Sequence, residues 1–65
     1  MGLSILDVIL DMQLKFYEKY NTAVSLLFIN LEHYRFLTRE LETPDLDNLH
    51  GMKIIITKKT KIEML

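Results

Sequence analysis

The chain has 65 residues, no cysteine, 8 basic and 9 acidic side chains, and a hydrophobic share of 49%. That length bounds it to one domain, residues 1–65, which buries only about 60% of what its unfolded chain exposes. Without cysteine, disulfide staples and thiolate chemistry are excluded, and a net charge of −1 offers no global field for nucleic acid or anionic lipid.

Ser4 is the natural N-cap of a first helix, with Asp7 placed to reach back and Leu3 and Val8 spaced as a hydrophobic staple. The helical pattern runs from Ile5 to Tyr20 and leaves through Asn21-Thr22. Ser4, Asp7, Asp11, Lys15, Glu18 and Lys19 form a polar stripe, in which Asp11 and Lys15 are four apart in the supporting orientation. All other positions except Gln13 are apolar, an arc of roughly 240° where a helix packed on one neighbour needs little more than about 100°. One layer of sheet cannot cover that arc.

Residues 23–29 read as a strand apolar on both faces, as in the centre of a sheet. Asn30 caps a second helix that begins with Glu32 in its first turn. Leu31, Tyr34, Leu37 and Leu41 share one face; Glu32, Arg35, Arg39 and Glu40 lie opposite, with Phe36 among the charges. Pro44 holds Thr43 extended and ends this helix near Glu42. The acidic loop 43–51 follows, with Leu46 and Leu49 turned inward and Gly51 opening a strand.

Met52 to Thr57 is that strand, and Lys58-Lys59-Thr60 is expected to be a tight turn into a last strand from Lys61 to Met64. In this hairpin Ile54, Ile56, Ile62 and Met64 share one side; Lys53, Ile55, Thr57, Lys61 and Glu63 take the other. Strand, helix, strand implies a right-handed parallel crossover. The expected fold is a two-layer α+β domain of order helix–strand–helix–strand–strand, its three-stranded mixed sheet covered by helices on one face and largely polar on the other.

Sites for chemistry are sparse. His50 lies near Glu40, Glu42, Asp45 and Asp47, but without the spacing of a zinc site or a calcium loop. Ser4 and Ser25 find no nearby base with an orienting partner in His33 or His50, and two glycines leave no phosphate-cradling loop. The expectation is no enzyme and no cofactor.

Self-association has the strongest physical case. Ile5, Ile9, Met12, Gln13, Phe16, Tyr17 and Tyr20 of the first helix, together with Phe36, are the candidate oligomer interface, with Gln13 placed to hydrogen-bond near a two-fold axis. The partners expected are a second copy and another protein. The alternative is nucleic acid tracked by Lys53, Lys58, Lys59 and Lys61 of the basic hairpin, although no aromatic stacks there. Edge lysines also guard against aggregation.

No apolar run approaches the roughly 20 residues that span a bilayer. Asp7 and Asp11 interrupt any signal peptide, and Leu6 stands where a myristoylation motif after Gly2 needs Ser or Thr. A soluble intracellular protein is expected, and Met1 favours a complete gene product.

The run "AVSLLFINLEHYRFLTREL", followed by a polar loop and "LHGMKIIITKKTKIEML", resembles small uncharacterised proteins encoded in phages and prophages. It is similar, more distantly, to part of the major capsid proteins of tailed phages. The resemblance covers about two thirds of the chain, and it implies a viral origin with residence in the host cytoplasm or the virion. Asn30, Tyr34 and Gly51 match its pattern as cap, core aromatic and turn; no catalytic residue carries over. The long spine helix and extended arm of the capsid pattern have no counterpart here.

Overall fold

A computed structural model describes residues 4–65. Gly2 of the myristoylation reading and Leu3, the outer half of the expected staple, lie outside the described residues. Helix α1 spans Ile5–Tyr20, strand β1 Leu26–Asn30, helix α2 Leu31–Leu41, and strands β2 Asn48–Leu49, β3 Met52–Thr57 and β4 Glu63–Met64 complete the order. The α+β class holds, but the sheet has four strands, ordered β2-β3-β1-β4.

Local chemistry sets both helices. Ser4 caps α1 by accepting from the Asp7 amide at 3.2 Å. The carboxylate that completes the cap is not Asp7's. Glu40 of α2 accepts from the Ser4 hydroxyl and, at 3.3 Å, from the Leu6 amide. The start of α1 is therefore tied to the last turn of α2, and the two helices lie side by side.

Asn30 caps α2 by accepting from the His33 amide at 2.7 Å. Its far end closes as a Schellman motif: Thr43 donates to the Thr38 carbonyl and Glu42 to that of Arg39, with Glu42 left-handed at φ 55. A side chain with a Cβ is strained there, so Glu42→Gly should raise stability by about 0.5–1 kcal/mol. The check is a urea midpoint that rises with unchanged slope.

The loop after α2 is held by one hydroxyl. Tyr34 Oη donates to the Leu46 carbonyl at 3.1 Å and accepts from the Leu46 amide at 3.0 Å. Leu46 and Leu49 turn inward as expected, Leu49 into the core and Leu46 against it. Removing the hydroxyl strips two partly buried backbone groups of their partner. Tyr34→Phe should therefore cost about 1 kcal/mol, read as a fall of about 4–8 °C in a thermal melt.

Parallel pairing of β1 with β3 sets Leu27 opposite Ile54 and Phe28 opposite Ile55. The expected terminal hairpin is corrected. Strand β4 does not pair with β3; it lies antiparallel on the far edge of β1, with Leu27 opposite Met64 and Phe28 opposite Glu63. A hairpin would have left β1, apolar on both faces, as an edge strand. Residues 58–62 instead cross the end of β1, a gap of two strand spacings or about 10 Å, which five residues bridge with chain to spare. Lys58-Lys59-Thr60 is part of that connection and not a tight turn.

The hairpin that does form is β2 with β3, pairing Leu49 with Met52. Its two-residue connection, His50 and Gly51, has φ 48 and 83, the paired positive values of a turn that matches strand twist. Gly51 supplies the second at no steric cost.

Both helices cover one face of the sheet. Ile9 of α1, Leu37 of α2, Leu27 and Ile29 of β1 and Met52 of β3 are fully buried in one core, completed by Val24 and Leu49. Leu31 does not join the apolar face expected of it; it opens α2 half exposed. Among the described residues no helix lies on the other sheet face.

Candidate interaction surface

Among the described residues, apolar side chains stay in contact with water on both helices and on the sheet. On α1, Leu14, Tyr17 and Tyr20 are 58%, 53% and 55% exposed. Only Ile9 of this helix is fully enclosed. Of its apolar side chains only Leu14, Tyr17 and Tyr20 stay exposed, the others being buried or half-buried, so part of the arc read from the sequence is left open to water.

The candidate interface residues separate into three groups. Ile9 is corrected: it is sealed in the core and presents nothing to a second copy. Gln13 spends its amide within its own chain, donating to the His50 carbonyl at 3.1 Å and bolting α1 to the β2–β3 turn.

The remaining six fall into two clusters and one lone position, with Ile5 and Phe16 partly buried against the core. Ile5 lines a shallow groove between the helices with Val8, Phe36 and Glu40. Phe36 is half exposed, with the Arg39 guanidinium 5.9 Å from its ring centre. Met12, Phe16 and Tyr20 line a second groove with Ile62 and Met64, at the β4 edge. There the rings of Phe16 and Tyr20 are 4.7 Å apart and tilted by 51°. Tyr17 stands apart from both.

Leu14, absent from the expected set, is the most exposed apolar side chain of α1. The helical pattern contains the signal: Leu10, Leu14 and Tyr17 share one flank of the apolar arc. That flank looks away from α2 and β4.

Charges on α1 face water. Asp11 and Lys15 bridge at 2.9 Å. The Asp11 carboxylate, first by hydrogen bond and then by charge, holds the Lys15 ammonium above the ordinary lysine pKa. Any stability this adds is present at neutral pH and is lost as pH rises through the raised value.

A further apolar surface is the open side of the sheet. Leu26, Phe28 and Ile55 form its centre, partly exposed and adjacent by register, where a largely polar face was expected. Asn30 and Thr57 pair beside them, and exposed Lys53 and Glu63 stand at the margin.

The lysines of the expected basic hairpin are divided. Lys53 lies near the start of β3, whereas Lys58, Lys59 and Lys61 follow its other end. Lys59 pairs with Glu63 at 3.3 Å. No continuous basic track joins the four.

Among the described residues no three His, Asp or Glu side chains are grouped to hold a metal ion, and no helix is long and apolar enough to cross a membrane. Comparison with known proteins leaves the surfaces to speak for themselves: no family model, no curated protein and no solved structure matches the chain.

Proposed function

We propose that this chain is a small homo-oligomeric interaction protein that acts by binding protein surfaces, a second copy of itself first among them. The observation that carries the reading is the exposed row Leu14, Tyr17 and Tyr20 on a helix with one enclosed residue. Tyrosine is enriched where proteins meet. A chain this small gains from a partner what its own core cannot supply.

The resemblance of residues 22–65 to small phage and prophage proteins supports a viral setting for this role. A further protein partner would use Phe36 and the groove it shares with Ile5 and Val8.

Sedimentation at several concentrations tests the proposal. A two-chain mass is expected at tens of micromolar, with a melting temperature that rises with protein concentration. A single-chain mass at high micromolar concentration would overturn it.

A further inference from the structure

We infer that the groove between α1 and β4 takes an extended segment of another protein, apolar at alternate positions and carrying a carboxylate, added as a further strand on the free edge of β4. Strand β4 is last in the sheet order, and β1 is its one neighbour. Leu65 exchanges both backbone bonds with Leu26, donating at 3.0 Å and accepting at 2.9 Å. Backbone direction alternates along an antiparallel strand, so the Met64 N–H and C=O point away from β1. Among the described residues no protein group meets either of them. An outward donor and acceptor on a strand edge are matched by extended backbone.

The side chains beside the edge set what that backbone carries. Ile62 and Met64 pack toward the core and line an open groove of about 400 Å³ with Met12, Phe16 and Tyr20. That size falls within the range of about 300–1,000 Å³ found for binding sites. A strand laid along β4 turns every second side chain to this face. Met12 to Tyr20 is about 12 Å of helix, which about four extended residues cover. Two apolar side chains therefore enter the groove. A strand edge beside such a groove is how sheets take up peptide strands, backbone bonds giving affinity and the groove giving preference.

Charge adds the last requirement. Lys15 and Lys19 reach the same groove, as does Glu63. Lys15 is bridged to Asp11, and Glu63 to Lys59. Lys19 meets no carboxylate among the described residues; its ammonium lies 5.3 Å from the centre of the Tyr20 ring. The unmatched charge is positive, and a carboxylate on the incoming strand answers it. A second copy fits poorly: pairing β4 with β4 about a two-fold axis brings Lys15 and Lys19 of both chains to one seam. Leu14 and Tyr17 lie on the flank of α1 turned from β4, so this site does not depend on pairing through α1.

The test screens the full chain against a bead-bound library of random peptides of about six residues, enough to cover the edge. Peptides recovered should lack proline, which cannot donate to the edge, and should be apolar at alternate positions with one acidic residue. The most enriched peptide, at saturation, should slow hydrogen exchange of the Met64 amide by about tenfold or more. Methylating the peptide's backbone nitrogens should abolish its binding. Lys19 is exposed, so Lys19→Glu should leave the melt unchanged while weakening the peptide several-fold. A peptide with lysine in place of its acid should recover binding to that variant, and Lys53→Glu should have no effect.

Failure to enrich any peptide would overturn the inference. So would binding that leaves Met64 exchange unchanged, or that is indifferent to Lys19→Glu. Protection of the Met64 amide in the chain alone, growing with its concentration, would put a second copy on this edge and overturn it too.

Discussion

Replacing Ile9 by alanine is expected to cost about 2–5 kcal/mol, the largest effect of any single change on α1. Ile9 is fully buried and is the one residue of this helix that is. Its side chain meets Leu27, Ile29, Leu37 and Met52 where both helices and the sheet converge. Alanine is the better helix former by a few tenths of a kcal/mol, so local propensity opposes the loss and is overwhelmed by the cavity. A domain of this length has a total stability of about 3–10 kcal/mol. The thermal midpoint should therefore fall by more than about 10 °C, with α1 signal and sheet signal lost together. Ile9→Val, which keeps most of the volume, should cost about 0.5–1.5 kcal/mol. A variant Ile9→Ala that melts within a few degrees of the parent would show that the helix is not anchored there.

The second large effect is on association and leaves the single chain intact. Leu14→Gln with Tyr17→Gln should weaken pairing by at least tenfold, or about 1.4 kcal/mol in binding free energy. Both side chains are more than half exposed, at 58% and 53%, so little core packing is lost. Glutamine matches leucine in helix propensity, and surface changes of this kind move stability by about 0.5 kcal/mol or less. The expected result is a chain with an unchanged melt at low concentration whose melting temperature no longer climbs at high concentration. A matched control is Phe36→Gln, which lies on α2 in the groove with Ile5 and Val8. If the α1 variant and the parent sediment alike at every concentration, that flank of α1 is not the contact.

These two changes, at Ile9 and five and eight residues further on, lie on one helix and should act on different equilibria. Ile9 faces the sheet and acts on folding. Leu14 and Tyr17 face water and act on what the folded chain meets. A helical wheel alone cannot rank them, because all three fall within the same apolar arc.

What could be read directly from the residues was whatever is decided within a few positions along the chain. Ser4 and Asn30 as caps, the span from Ile5 to Tyr20, the stop of α2 at Glu42 ahead of Pro44, and the Asp11–Lys15 bridge all came from neighbours in sequence. The two faces of β3 followed from its alternation, as did the central place of β1 from its apolarity on both sides. Self-association remains an inference from surplus apolar surface.

Contacts between distant segments were not legible. An alternating pattern states which side of a sheet a residue faces, and it is silent on which strand lies alongside; β4 therefore reads the same whether it pairs with β3 or with β1. Strand β2, at two residues, is too short to hold any period. Glu40 reaching Ser4 and Gln13 reaching His50 join positions 36 and 37 apart. Such pairs are chosen by how helices and sheet dock, and docking is settled by burial summed over the whole core. The sequence by itself determined both helices and the strands β1 and β3; only the tertiary structure decided which strands are neighbours, and so which apolar surfaces were left facing water.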